Sequence, residues 1–392
     1  MKLASRISRV QPSPTLAIDA KAKAMKAAGV DVISFGAGEP DFNTPEAVRT
    51  GAKAALDAGH TKYIASDGLP ALRAAIAADY TRRGRNVKAE EVIVSTGGKH
   101  ALYNATMALF EAGDKVIIPA PYWVSYPAQV LLADAEPVTP LAGVETGFKM
   151  TASQLEQELA DPAVRGLILC SPSNPTGAVY SADELRAIGR VVADRPDVIV
   201  FFDAMYDRLT FDEPIAADFV AVNPDLEDRT ITFNGFSKTY AMTGWRLGFA
   251  IGPIKAIKAM SKLQSQSTSN ATSFAQYGAL DALKLPDSEI EGMVNVFRRR
   301  RELIVGALNA IEGVNCPTPG GAFYVFPDVS SFCGEGKRFA DDMALADYLL
   351  ESAKVAVVPG SAFGAPGHMR MSYATSDELI AEGVKRIAEA LA

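Results

Sequence analysis

Cysteine and histidine are scarce in this chain of 392 residues: Cys170, Cys316 and Cys333 lie far apart, and His60, His100 and His368 form no His-x-x-x-His pair. Few, odd-numbered cysteines exclude a disulfide framework and fit a reducing compartment, and neither residue type has the spacing of a zinc site, so no metal is expected. No apolar stretch approaches a membrane span, and the N-terminal MKLASRISRVQPSPT lacks the apolar h-region of a secretory signal. A cytoplasmic protein without membrane contact is expected. Positive charge is short too. Lys and Arg total 39 against 46 Asp and Glu, a net charge of −7, which argues against a generic nucleic-acid binder. The one strongly basic run, RRRR at 298–301, sits in MVNVFRRRRELIVGAL, where apolar residues recur at helical spacing. It reads as a solvated helix face.

Complete nucleotide and hydrolase fingerprints are also missing. GGKH resembles the end of a P-loop, but the first glycine is absent and His100 replaces Ser/Thr. FGAGEP has G-x-G without a third glycine and runs into Pro40, so the dinucleotide fingerprint fails. GFSKT lacks the last glycine of G-x-S-x-G.

What is present is length, apolar content and rhythm. The chain exceeds the usual size of one core, and hydrophobic residues make up 48% of it. From about 45 to 290, apolar runs alternate with helical patterns. EVIVST, KVIIPA, GLILCS, VIVFFD, TITFNG and LGFAIG read as strands, several apolar at consecutive positions as in strands covered on both faces. HALYNATMALFEAG and SADELRAIGRVVADR read as helices, the second opening with the capping-box pair Ser181 and Glu184. The expectation is a mainly parallel sheet in a three-layer α/β large domain, 46–290. The segments 1–45 and 291–392, with the β-like pieces GGAFYVF, VAVVPGSAF and HMRMSYAT, are expected to form a smaller α+β domain.

Ligands of open α/β sheets bind beyond the carboxyl ends of the strands, so the residues following each predicted strand locate a candidate site. They are Gly97 and Gly98 after EVIVST, Trp123 after KVIIPA, Asn174 in SPSNPTG after GLILC, and Asp203 with Tyr206 after VIVFF. Lys238 follows TITF, with Arg246 eight residues on. Each alone has a plain structural explanation: a helix cap, a turn or packing. Together they suit pyridoxal phosphate. Helix N-terminal amides after Gly97-Gly98 and the Arg246 fork suit the phosphate, Asp203 the pyridine nitrogen, Asn174 and Tyr206 the 3-oxygen, and Trp123 the ring face. Lys238 suits the covalent link and the later proton transfer.

SPSNPTG, the Asp203-x-x-Tyr206 pair and Ser237-Lys238 with Arg246 resemble class I, fold-type I PLP-dependent aminotransferases. AGEPDF, TKYIASDG, GGK, PYWVSYP, AMTGWR and HMRMSYAT extend the resemblance over nearly the whole chain, to the bacterial branch containing aspartate and aspartate/prephenate aminotransferases. The resemblance implies that Arg370 grips the substrate α-carboxylate, and that Gly38, Trp123 and Asn174 line the substrate pocket. Ser237, like Lys99 and its neighbouring glycines, joins the cofactor site. Lys99 is also implied to recognise a distal carboxylate, and Thr15 lies in a stretch that closes over the substrate. Tyr63 is implied to reach the phosphate of a neighbouring subunit, hence a homodimer with shared active sites.

The expected reaction is ping-pong amino transfer between L-aspartate and 2-oxoglutarate through a Lys238 Schiff base. The alternatives are a dual aspartate/prephenate enzyme and a transaminase for aromatic or neutral amino acids. Gln11 stands where dual-specificity relatives often carry a basic residue, and Gly235 where many relatives carry a phosphate-binding serine. Lys99 separates the acidic from the neutral and aromatic readings, because a cation at the far end of the pocket disfavours apolar side chains.

Overall fold

The structure is a computed structural model that describes residues 1–212 and 216–392. Its centre is a seven-stranded sheet in the order Val92–Ser95, Gly248–Ile251, Thr230–Gly235, Ile199–Asp203, Val164–Cys170, Lys115–Ile117 and Glu136–Val138. All neighbouring pairs are parallel except those of Gly248–Ile251, which runs antiparallel to both its neighbours. Its direction follows from its connection. The excursion 236–247 that separates it from Thr230–Gly235 holds only the single 3₁₀ turn Thr243–Trp245 and no crossover helix, and a parallel return usually runs through one. The rest of the sheet is the parallel α/β arrangement that the sequence rhythm implies.

Each of the six predicted strand windows in 45–290 overlaps an observed strand, and that of GLILCS begins two residues earlier, at Val164. Glu136–Val138 was not foreseen: it is a short edge strand that contains Pro137, and so carries no apolar run to read. The unbroken apolar run of Ile199–Asp203 is explained by cover on both faces. Phe201 packs with Ile168, Phe233 and Met260 on one side, while Val200 and Phe202 pack with Leu185, Ile188 and Phe219 on the other. Each buried Phe contributes about 1.5–3 kcal/mol relative to exposure. Helix Ala182–Ala193 begins with the capping box read from the sequence: Ser181 Oγ accepts from the Glu184 amide at 3.2 Å, and Glu184 Oε2 accepts from the Ser181 amide at 2.8 Å.

The 23-residue helix Asp287–Asn309 leads into the C-terminal region. There Met369–Ser372 lies antiparallel between Val358–Pro359 and Tyr324–Val325. The N-terminal pair Ile33–Ser34 joins this region by pairing with Val355–Ala356. The helix Asp377–Leu391 closes the chain, capped by Ser376.

The solvated face expected for Arg298 to Arg301 is corrected here. Arg300 and Arg301 are buried, at 7% and 5% exposure. Arg300 grips Asp41 with both terminal nitrogens, at 2.8 and 2.9 Å, and Arg301 pairs with Asp212 at 2.6 Å. Four successive residues sweep most of a helical turn, so they cannot share one outward face. The period-based reading erred by treating them as a block.

Candidate active site

At the carboxyl edge of the sheet lies a cavity of about 630 Å³. Strand Ile199–Asp203 delivers Asp203 into it, and strand Val164–Cys170 delivers Cys170 and, four residues past its end, Asn174. The excursion 236–247 contributes Ser237, Lys238, Thr243 and Arg246. Because Gly235 pairs with Gly248, that excursion leaves and re-enters the sheet at one point. Gly98, Lys99, Trp123 and Tyr206 come from the neighbouring strand-to-helix turns, Arg370 from strand Met369–Ser372, and Gly38 and Thr15 from the N-terminal region. Of the residues singled out in the sequence, Gly97 lies behind the wall against Arg246, and Tyr63 lies outside the cavity, 90% exposed.

The floor is an anion cradle. Gly97 has φ 87° and N-caps helix Gly98–Leu109, whose first amides lack intrahelical acceptors. A Cβ at Gly97 would lie 2.6 Å from Arg246 Nη2, so only glycine lets the guanidinium come this close to the helix start. Arg246 itself holds a left-handed backbone, φ 53°, an uncommon conformation for a long side chain that marks a constrained position. The closeness of Gly248 to the same turn is equally tight, since a Cβ there would strike the Gly98 amide. A Cβ at Gly235 would lie 3.0 Å from Gly248 Cα and from the Leu247 carbonyl oxygen, a tight approach to backbone.

Cations dominate the walls. At the rim Lys23 pairs with Asp19 at 2.7 Å, whereas the hydrogen bonds of Arg370, Arg246 and Lys238 go to carbonyls and a carboxamide among the described residues. Arg370 donates to Asn174 Oδ1 at 3.1 Å and to the Gly36 carbonyl at 2.7 Å, Arg246 to the Thr243 carbonyl at 2.9 Å, and Lys238 to the Gly38 carbonyl. The Lys99 ammonium lies 4.9 Å from the centre of the Trp123 ring. Arg370 Nε is buried without a partner among the described residues, and its guanidinium lies 4.7 Å from the Tyr324 ring centre. Burial, reinforced by Arg370 and Arg246 and opposed by Glu39 and Asp203, lowers the Lys238 amine to about 8. Lys99 is lowered by burial and by Arg246. Such a site calls for anions.

Asp203 is the counterpart. Burial raises its carboxyl above the usual range, opposed by the Tyr126 hydroxyl, which donates to Oδ2 at 2.6 Å, and by the Met205 amide, which donates to Oδ1 at 3.0 Å. A buried carboxylate with donors but, among the described residues, no cation within bonding reach suits a cationic ring nitrogen. The Tyr206 hydroxyl pairs with that of Tyr324 at 2.9 Å, and burial keeps it protonated. An anion cradle, a lone buried carboxylate and a low-pKa amine in one cavity fit pyridoxal phosphate, which carries a phosphate, a protonatable ring nitrogen and an aldehyde.

Sequence reasoning missed Tyr126, Tyr324 and Glu39. Tyr126 follows Trp123 by three residues within PYWVSYP, a spacing that could have drawn notice. Tyr324 lies inside a short β-like piece without any local signal.

The family model for "Aminotransferase class I and II" matches residues 30–387. A protein named aspartate/prephenate aminotransferase from Cereibacter sphaeroides is 50% identical over 390 residues, 98% of this chain and 97% of that protein. One named aspartate aminotransferase from Geobacillus stearothermophilus is 47% identical over 99% of this chain and 98% of its own. The crystal structure of the aspartate aminotransferase from Rhizobium meliloti superposes with a TM-score of 0.95 at 44% identity, covering 100% of this chain and 98% of that one. The Thermus thermophilus aspartate aminotransferase with maleate gives 0.94 at 39% identity, with both chains covered completely.

Proposed function

The chain belongs to the class I and II aminotransferases, and from that premise we propose that it moves the amino group between L-aspartate and 2-oxoglutarate in a ping-pong cycle with pyridoxal phosphate as cofactor. The observation that carries this reading is that two cations without carboxylate partners among the described residues, Arg370 and Lys99, line the same cavity as the Lys238 amine.

When bound, pyridoxal phosphate supplies an electron sink for the charge left on the substrate Cα as its proton departs. Arg246, Ser237 and the first amides of helix Gly98–Leu109 are assigned its phosphate. Asp203, backed by Tyr126, is assigned its ring nitrogen, Trp123 its face, and Asn174 and Tyr206 its ring oxygen. Lys238 is assigned the covalent attachment. A free Lys238 amine near pKa 8 takes the proton from the substrate Cα at Nζ and later returns one, since an amine of this strength is neutral to about a fifth near pH 7.4, against roughly a thousandth for an ordinary lysine. Arg370, with Nε still unpartnered, has donor capacity left for the α-carboxylate common to amino-acid and oxo-acid substrates. Lys99 takes the distal carboxylate, and a substrate without one leaves that cation desolvated and unpaired.

Prephenate is the second reading. Thr15 lines the cavity, and a 50%-identical relative bears the aspartate/prephenate name. Gln11 is exposed and outside the cavity lining. The large and small domains, 46–290 and 1–45 with 291–392, a homodimer in which Tyr63 serves the partner's site, and a cytoplasmic location complete the reading. Among the described residues no helix is long and apolar enough to cross a membrane.

The test is a panel of amino donors against 2-oxoglutarate, oxaloacetate and prephenate, with kcat/KM for each pair. Aspartate with 2-oxoglutarate is expected to lead. A higher kcat/KM for alanine or phenylalanine overturns the assignment.

A further inference from the structure

The basic run at 298–301 plays no part in the site as described above, yet one of its arginines reaches towards it. Arg300, on helix Asp287–Asn309, is 7% exposed and holds the Asp41 carboxylate in a two-pronged grip, Nη1 to Oδ1 at 2.8 Å and Nη2 to Oδ2 at 2.9 Å. Its Nε makes a longer contact, 3.3 Å, with Asp377, which Arg299 already engages at 2.9 Å. The next residue, Phe42, packs edge-on against Phe297, at 5.5 Å between ring centres, one helical turn before Arg300. The Arg300 guanidinium lies 5.8 Å from the Phe42 ring centre. Asp41 and Phe42 are thus fastened to one face of a long helix.

The turn 36–40 runs from this fastening back into the cavity. At its other end the Phe35 amide donates to the Ala356 carbonyl at 2.9 Å, and the Phe35 carbonyl accepts from the Ser372 amide at 2.8 Å. Between these ends, the Gly36 carbonyl accepts from Arg370 Nη2 and the Gly38 carbonyl accepts from Lys238 Nζ. Glu39 adds a side-chain tie, accepting from Thr243 Oγ1 at 2.8 Å. Two of its three internal glycine and alanine positions therefore present backbone oxygens to the two side chains on which substrate binding and proton transfer depend. Glycine-rich backbone has little stiffness of its own, so the placement of these oxygens is set by what holds the ends.

We propose that Arg300 is a positioning residue for the reaction: its grip on Asp41 fixes the 36–40 turn, whose Gly36 and Gly38 carbonyls orient Arg370 and Lys238. The inference rests on the aminotransferase reading. A planar fork matched to a carboxylate fixes direction as well as distance, which a lysine ammonium at the same place does not. A misplacement of about 1 Å in such a site costs up to about a hundredfold in rate.

The experiment compares Arg300→Met, Arg300→Lys, Asp41→Asn and Arg370→Lys with the unchanged holoenzyme. Maleate affinity is measured by calorimetry, kcat and KM for aspartate and 2-oxoglutarate by steady-state assay, and integrity by the thermal midpoint. Arg300→Met is expected to weaken maleate by about tenfold or more and to raise KM for both substrates together, with a smaller fall in kcat. Arg300→Lys is expected to restore part of the affinity. Asp41→Asn loosens the same grip from the partly exposed side while keeping hydrogen-bonding capacity, so it answers the question should Arg300→Met fail to fold. Unchanged maleate affinity in Asp41→Asn and in any folded Arg300 variant overturns the proposal. If Arg370→Lys still loses affinity in the same assay, the aminotransferase reading stands without it. If Arg370→Lys also binds maleate normally, the failure lies in the reading of the site itself.

Discussion

The Tyr126 hydroxyl donates to Asp203 Oδ2 at 2.6 Å, and burial at the same time raises the Asp203 carboxyl above its ordinary range. The two effects oppose each other: the buried setting disfavours the charge, and the phenol partly restores it.

Tyr126→Phe removes that support, worth about 1.5–3 kcal/mol for a hydrogen bond to a charged group. Cofactor affinity, read by titrating visible absorbance into apoprotein, is expected to fall about ten- to a hundredfold. An unchanged dissociation constant counts against the pairing of Asp203 with a cationic ring nitrogen. The apoprotein carries a matching pH signature. Because the folded pKa of Asp203 is raised, its contribution to stability is present below the ordinary carboxylate range and is lost as pH rises through the raised value. Tyr126→Phe extends that loss to higher pH, visible as a shifted pH profile of the thermal midpoint.

Lys238 titrates in the opposite sense. Its folded pKa, about 8 against the ordinary 10.5, makes the charged form costly, so stability is lost as pH falls from 10.5 towards 8. In apoprotein, acylation of Lys238 followed by peptide mass spectrometry is expected to show a midpoint near 8, well below that of exposed lysines. A midpoint near 10.5 removes the desolvated-amine account. Lys238→Ala is expected to reduce turnover by about 10⁴ or more and to abolish borohydride-dependent retention of the cofactor.

Lys99→Met tests substrate choice. The loss in kcat/KM with aspartate is expected at about ten- to a hundredfold, the worth of one hydrogen bond between charged groups. Alanine and phenylalanine are expected to lose little or to gain. Equal losses across the donors sink the distal-carboxylate role.

Tyr63 is 90% exposed and stands apart from the cavity of its own chain. If it serves a partner's site, the protein in solution has twice the 41.6 kDa chain mass by light scattering. Tyr63→Phe should then weaken cofactor binding by about 1 kcal/mol, roughly fivefold. A monomeric, fully active protein contradicts both expectations.

Asp203, Asn174, Lys238 and Arg246 were legible because parallel strands deliver their carboxyl ends to one edge, and an apolar run followed by a polar residue marks that end. Cover on both sheet faces made the strands themselves legible, as in Ile199–Asp203. Tyr126 and Tyr324 were not, since each enters the site through packing between segments far apart in sequence. The run at 298–301 misled for a related reason. Helical rotation distributes its members between solvent and interior, and the acids that receive the inner ones, Asp41 and Asp212, lie hundreds or scores of residues away.

The return of the chain at Gly235 and Gly248 has a mechanical corollary. Lys238 and Arg246 ride on a single loop stapled at its base to the sheet, so the two attachments assigned to the cofactor keep a common frame of reference. Arg370, Gly36 and Thr15 arrive instead from the two ends of the chain. The grip on the carboxylate common to the substrates is therefore placed independently of the loop that holds Lys238 and Arg246, and a change at either end of the chain can shift the first without moving the second.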